Sequence, residues 1–133
     1  MSLAPLLAAS FAIQLHAFAA VAALLLGIVQ LAAPKGTLPH RAIGYVWATL
    51  MLAIAISSFW IHEIRLIGPF SPIHVLSLVT LVTVPLAVWA AHRHRVDTHR
   101  RAMLLIFFLA LIGAGAFTLL PGRIMGAVLF GSQ

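Results

Sequence analysis

The sequence contains no cysteine and only two acidic residues, Glu63 and Asp97. The lack of cysteine excludes disulfides, thiolate zinc sites, iron–sulfur ligation and covalent c-type haem attachment. Two carboxylates are too few for a proton relay built from several of them. There is also no glycine-rich phosphate loop, nucleophile elbow or zinc-protease motif. Among side chains with metal or proton chemistry, the seven histidines stand out.

Apolar residues dominate the chain and predict an integral membrane protein. Hydrophobic residues make up 63% of it, charged residues 8%, and the mean hydropathy is +1.13. Four stretches approach the roughly 20 residues that cross a hydrocarbon core of about 30 Å. We predict a single all-α membrane domain over residues 1–133, with helices at about 6–33, 41–61, 73–91 and 101–120. Proline and glycine at the segment ends and the short connections predict an up-and-down four-helix bundle.

The distribution of basic residues predicts the orientation in the membrane. The loops after the first and third helices carry most of them: Lys35, Arg41, Arg93, Arg95, Arg100 and Arg101. The other side carries Arg65 and Arg123. Because cytoplasmic loops are rich in Lys and Arg, both termini are predicted to lie outside a bacterial inner (cytoplasmic) membrane. Topology thus accounts for the net charge of +6, and no nucleic acid partner is expected.

Six histidines fall at two levels of the predicted bundle. The outer level has His16, His62 and His74, and the inner level has His40, His92 and His99. Neutral imidazole binds transition metals and haem iron through a ring nitrogen. An ionisable side chain inside a membrane is costly and is by default a candidate for function. Two levels of histidine therefore suggest two stacked metal centres.

Helical spacing places these histidines on stripes of mostly small residues that are predicted to face one interior. The stripes are His16, Ala20, Ala23, Gly27 and Gln30; His40, Gly44, Trp47, Met51, Ala55, Ser58 and His62; His74, Ser77, Leu81, Val84, Val88 and His92; and His99, Ala102, Ile106, Ala110, Gly113 and Phe117. Small residues allow backbones, or a flat porphyrin, to approach closely.

Diagonally opposed helices are the natural clamps for a haem in that interior. We predict two haem b groups, with axial pairs His16–His74 in the outer half and His40–His99 at the inner face. His62 and His92 are secondary candidates as ligands. The predicted haem surroundings, or partners of a propionate or quinone, are Arg41, Tyr45, Gly27, Gly113 and Gly115. His94, off its stripe, is expected to be an interfacial residue.

The histidine spacing resembles the central four helices of the di-haem transmembrane cytochromes of the cytochrome b-561 type. The matching residues are Leu15-His16, Lys35 followed by His40, Ile73-His74-Val75-Leu76-Ser77, and His99. In that family the same helix pairing binds two b haems that pass electrons across the membrane.

The chain also resembles small bacterial predicted membrane proteins of the domain of unknown function 2306 type. The motifs are His40-Arg41-x-x-Gly44-Tyr45-x-Trp47, Ser57-Ser58-Phe59 and Pro72-x-His74.

Three functions remain open at this point. The first is a b-type cytochrome, a membrane oxidoreductase that carries electrons between a quinol or small reductant and an acceptor. The second is a transition-metal binding or transport protein that uses the same histidines without porphyrin. The third is a non-catalytic accessory subunit of a respiratory or photosynthetic complex. The lipid bilayer surrounds the protein in each case, and a larger membrane complex or a homo-oligomer is an expected partner.

Overall fold

Four membrane-length helices dominate the structure, a computed structural model that describes residues 1–61 and 72–131. Within these two ranges all regular secondary structure is helical. The four helices long and apolar enough to span a bilayer cover Phe11–Ala32, Leu38–Trp60, Ile73–His92 and Val96–Phe117. The predicted all-α, four-span membrane architecture is therefore confirmed. His62 lies outside the described residues.

Short helices flank the long ones, and one long helix changes its winding. The elements in chain order are α1 (Ala4–Leu7), α2 (Phe11–Ala32), α3 (Leu38–Ser57) with a 3-10 turn (Ser58–Trp60), α4 (Pro72–His92), α5 (Val96–Leu105), a π segment (Ile106–Gly113), α6 (Ala114–Phe117) and α7 (Ile124–Phe130). α5, the π segment and α6 follow one another without a break and together form the fourth membrane-length helix.

Side-chain caps decide where the first two long helices begin. The Ser10 hydroxyl accepts from the backbone N–H of Ile13 at 3.4 Å, so α2 begins at Phe11 rather than near residue 6. The Thr37 hydroxyl accepts from the N–H of His40 at 3.3 Å, so α3 begins a few residues before the predicted residue 41. Each cap provides an acceptor for one of the N–H groups that a helix start leaves unpaired.

Lys35 closes the C-terminal end of α2. Its ammonium group donates to the carbonyls of Gln30, Leu31 and Ala33 at 2.7, 2.9 and 2.7 Å. The last carbonyls of a helix lack helical partners, and a cation there also opposes the negative end of the helix dipole. The ammonium group of Lys35 is therefore hydrogen-bonded to the C-terminal end of α2.

A tight turn joins α4 to α5. His94 adopts a left-handed backbone conformation with φ 58°. Its N–H donates to the carbonyl of Ala91 at 3.1 Å, and the N–H of Arg95 donates to that of Ala90 at 2.9 Å. This pattern satisfies the final carbonyls of α4 and lets the chain reverse within a few residues.

Each long helix packs against the next one in the sequence, and the π segment also contacts α2 and α4. The helices thus form a closed ring in which α2 and α4 face each other diagonally, as do α3 and α5. The core at mid-depth consists of Ala23, Trp47, Ala48, Met51, Val84, Ile106, Phe107 and Leu111.

The two short terminal helices close the end of the bundle opposite the α2–α3 turn. Leu6 of α1, Ala17 of α2 and Val128 of α7 form a second buried cluster. The N–H of Ser2 donates to the carbonyl of Val128 at 3.0 Å, so the two ends of the chain are held together.

The predicted inward stripes are buried or half-buried over most of their length, which confirms their direction. The prediction is wrong for Gly113 and Phe117, which are exposed. The π segment causes this difference, because its wider turns shift the face that a regular α-helical period would present. His92, at the end of α4, is also exposed.

Gly27 is predicted to be a steric requirement of the bundle. A Cβ atom there would lie 2.4 Å from the Phe107 ring and 3.1 Å from Trp47 Nε1. Gly27→Ala should lower the free energy of unfolding by about 1–3 kcal/mol through overpacking. Thermal unfolding in detergent, followed by circular dichroism, measures this. Gly115→Ala is the matched control, because no atom lies within 4 Å of its Cβ position. Equal stability of the two variants would contradict the proposed close contact.

Candidate functional site

A cavity of about 1070 Å³ lies at the end of the bundle that carries the α2–α3 and α4–α5 turns. Ligand pockets typically measure about 300–1,000 Å³, so this one has room for a large organic molecule. All four long helices contribute to its wall. Its histidines are His40, His92, His94 and His99.

His40 enters the cavity from the first turn of α3 and carries a nitrogen with no partner. Its Nδ1 atom is buried and makes no hydrogen bond within residues 1–61 and 72–131. The same holds for Oε1 of Gln30, whose Nε2 donates to the backbone carbonyl of His40 at 2.9 Å. Buried polar atoms are nearly always hydrogen-bonded in native proteins. Both atoms belong to residues of the cavity wall, which therefore carries polar groups not satisfied by the described part of the chain.

His99 reaches the cavity from the second turn of α5 and has a fixed tautomer. Its Nδ1 lies 2.8 Å from the carbonyl oxygen of Ala87 in α4. A carbonyl only accepts, so Nδ1 carries the proton and Nε2 keeps its lone pair. Metal-ligating histidines usually hold their rings by such a bond. His40 and His99 both line this cavity.

Tyr45 and His92 form a pair that links α3 to α4 at the cavity. The Tyr45 hydroxyl lies 2.7 Å from His92 Nε2, and the ring centroids are 6.1 Å apart. Both side chains line the cavity, and both are exposed at its rim. His92, predicted as a secondary ligand, thus has its Nε2 engaged by a phenol.

Aromatic residues form the end of the cavity that faces the middle of the bundle. The indole of Trp47 is only 5% exposed, and its Nε1–H donates to the carbonyl of Ala23 at 3.0 Å. Phe107, from the π segment, fills the space beside Gly27. These rings line the cavity and also belong to the mid-depth core, so the cavity ends where the core begins.

Two guanidinium groups at the cavity lack an acceptor. Arg41 and Arg100 line it, and no ion pair or hydrogen bond engages their side chains in the part of the chain that the structure describes. The neighbouring arginines are placed differently: Arg93 and Arg95 lie over the Trp89 ring, 5.4 and 5.8 Å from its centroid. The cavity therefore combines mainly apolar walls with positive charge suited to an anionic group.

The outer histidines lie in a tighter setting. His16 Nδ1 is 3.0 Å from the Ser57 hydroxyl, and His74 Nε2 is 3.2 Å from the carbonyl oxygen of Ser58. The His74 ring, 4% exposed, packs on Phe59 with centroids 5.5 Å apart. The outer cavity measures only about 50 Å³, and His16 but not His74 lines it.

The structure thus brings most of the predicted inner residues together and separates the others. Gly27, Arg41 and Tyr45 line the large cavity with the histidine pair. Gly113 and Gly115 line neither cavity. The residues of the large cavity that were not predicted as site residues are chiefly Gln30, Trp47, His94, Arg100 and Phe107. Gln30 and Trp47 belong to the predicted stripes, but the sequence could not show which hydrogen-bond partners their polar atoms have.

Together the fold and the large cavity define a small four-span integral membrane protein with a candidate ligand site at one end. The chain belongs to the family described as Predicted membrane protein (DUF2306), whose pattern matches residues 13–131. This result confirms the second of the two resemblances. No curated protein and no solved structure matches the chain. The resemblance to the cytochrome b-561 type is not supported by these comparisons.

The Trp47 hydrogen bond is expected to stabilise the boundary between the cavity and the core. Trp47→Phe removes the buried donor to Ala23 and part of the ring volume, and it should cost about 1–3 kcal/mol of stability. Chemical denaturation in detergent measures the difference. Trp89→Phe is the control, because that indole is exposed and stacked by arginines on the surface. If both variants unfold alike, the indole contact contributes nothing specific.

Proposed function

We propose that the protein is a membrane haem protein of the b type, in which His40 and His99 would hold a haem in the large cavity. The observation that carries this proposal is the pair of imidazoles, His40 and His99, that line one large, mainly apolar cavity. Haem, when bound, supplies reversible one-electron chemistry at its iron. The protein would serve as an electron carrier.

The residues at the cavity fit such a group. The hydrogen bond of His99 to Ala87 leaves Nε2 of His99 with a free lone pair, and His40 lines the same cavity. Gly27 and Gly44 line the cavity on α2 and α3, and the Phe107 ring fills the space beside Gly27. A Cβ at Gly44 would lie 3.3 Å from Nε2 of Gln30, so this wall is already close.

Other residues of the chain would orient the group and exclude water. The bond to the Ala87 carbonyl holds the His99 ring in one orientation, as second-sphere partners of metal ligands do. Arg41 and Arg100 offer unpaired positive charge to the propionates. Trp47 and Phe107 close the cavity toward the core and keep that end apolar.

The ligand count favours haem over a bare metal ion. In the part of the chain that the structure describes, no three His, Cys, Asp or Glu side chains are grouped to hold a metal. A tetrahedral or octahedral protein site needs three or more ligands, whereas a porphyrin lets two histidines complete the iron coordination. This geometry supports haem over the transition-metal alternative.

Further parts of the sequence-based hypothesis remain proposals. By the positive-inside rule, the cavity faces the cytoplasm of a bacterial inner membrane. A quinol or small reductant would approach at the rim, near Tyr45 and His92. A larger complex or a homo-oligomer remains a predicted partner. The second haem, between His16 and His74, remains a prediction, and the proposal for the large cavity does not depend on it.

The axial ligands provide the direct test. His40→Ala and His99→Ala should each abolish the low-spin b-type absorption spectrum of the protein purified in detergent with haem supplied during expression. His94→Asn should keep the spectrum, because asparagine tolerates the left-handed backbone at that position. Circular dichroism checks that each variant keeps its helical fold.

Three outcomes would overturn the proposal. They are a wild-type protein that binds no haem under these conditions, a full low-spin spectrum in either single variant, and a loss of the spectrum in His94→Asn as complete as in the two alanine variants.

The arginines at the cavity should hold the anionic end of the ligand. Arg41→Gln with Arg100→Gln should weaken haem binding about 3–10-fold, since two exposed charge contacts contribute modestly. Haem titration of the apoprotein at low and high salt measures the effect, which should shrink as salt rises. Arg101→Gln is the control, because Arg101 is exposed and does not line the cavity. An equal loss with the control would indicate a general surface-charge effect.

A further inference from the structure

The small cavity in the outer half of the bundle has a polar side that the proposed haem site does not use. It measures about 50 Å³ and is lined by His16, Ser77 and Thr80, with apolar residues around the rest of the wall. The three polar side chains come from α2 and α4. No residue of this cavity lines the large one, so the two spaces are separate.

The hydroxyl protons at this cavity are already used within the protein. The Thr80 hydroxyl donates to the carbonyl of Leu76 at 2.9 Å. Ser77 lies 3.0 Å from the carbonyl of Ile73 and 2.6 Å from the Ser58 hydroxyl. Whichever serine donates to the other, Ser77 keeps at least one free lone pair, and Thr80 keeps two. Both hydroxyls therefore present acceptors.

The hydrogen bonds of the Ser57 hydroxyl also indicate the tautomer of His16. The single proton of the Ser57 hydroxyl goes to the carbonyl of Ile54 at 3.0 Å. With the Ser57 proton on that carbonyl, the contact of 3.0 Å between His16 Nδ1 and Ser57 Oγ is a bond donated by Nδ1–H. His16 Nε2 is left as an unprotonated acceptor. The imidazole thus offers a base and not a donor on its other side.

We propose that this cavity binds a water molecule, which donates one hydrogen bond to His16 Nε2 and the other to Thr80 or Ser77. Because the polar atoms on this wall are hydrogen-bond acceptors, they suit an occupant that donates hydrogen bonds. A water needs only about 10–15 Å³ of such space together with two or more polar partners, and the cavity supplies both. A porphyrin macrocycle is too large for this cavity. The inference is independent of the proposed haem function, because it concerns other residues.

The bound water gives the outer polar cluster a continuous set of hydrogen bonds across three helices. Ser57 and Ser58 belong to the end of α3, His16 to α2, and Ser77 and Thr80 to α4. In a membrane, polar groups of this kind find partners inside the protein or in ordered water. The second haem predicted between His16 and His74 would need more space than this cavity of about 50 Å³ provides.

Nitrogen NMR of the histidine-labelled protein in detergent micelles tests this directly. His16 should show the Nδ1–H tautomer, with its Nε2 signal moved upfield from the value of an imidazole nitrogen without a hydrogen bond. Thr80→Val removes one water acceptor and should move that signal toward the unbonded value. Thr83→Val, one turn further along α4 and outside the cavity, should leave it unchanged.

The assignment of His16 signals comes from a His16→Gln variant, and backbone amide spectra show whether each variant keeps its fold. Ser77→Ala provides a second perturbation if Thr80→Val does not fold. An unbonded Nε2 signal in the wild-type protein would overturn the water site, as would an Nε2–H tautomer. A signal that responds to neither cavity variant would do the same. Haem binding has no bearing on these outcomes, so the test is separate from that of the proposed function.

Discussion

In hydrocarbon, a polar group without a partner costs several kcal/mol, because no bulk water is present to replace the lost hydrogen bond. The bundle shows how this constraint is met. Backbone groups are paired within helices, and most polar side chains of the spans donate to nearby carbonyls. Trp47 donates to Ala23, His99 to Ala87 and Thr80 to Leu76. Against this background, the few polar atoms left without partners identify the places where another molecule is expected.

The two ends of the bundle solve the problem of buried histidine in different ways. At the end that carries the short terminal helices, His16 Nδ1 contacts the Ser57 hydroxyl, His74 Nε2 contacts the Ser58 carbonyl, and the cavity there measures only about 50 Å³. At the other end, His40 Nδ1 has no partner in the described part of the chain, and a large cavity lies beside it. The sequence places histidines at both levels of the bundle, but one level forms a crowded polar cluster and the other an open candidate site.

Helix geometry at mid-depth separates these two levels. Phe107 comes from the π segment and occupies the space that Gly27 leaves free, next to the Trp47 indole. The wider winding also turns Gly113 and Phe117 outward, so the later part of the fourth span does not continue the inward face of its first part. A local change in helical period therefore closes the large cavity and removes the predicted glycine lining from the outer one.

The sequence by itself determined the membrane class, the four spans and the inward direction of most histidine stripes. These properties follow from local hydropathy and from periodic spacing, which depend on the chain alone. The sequence also grouped His40, His99, Arg41 and Tyr45 at one end, and in the structure all four line the large cavity. It did not show that the outer histidines would be engaged by Ser57 and Ser58. Only the tertiary structure decided which ring nitrogens find partners and how much space remains, because both depend on side chains from several helices meeting at one depth.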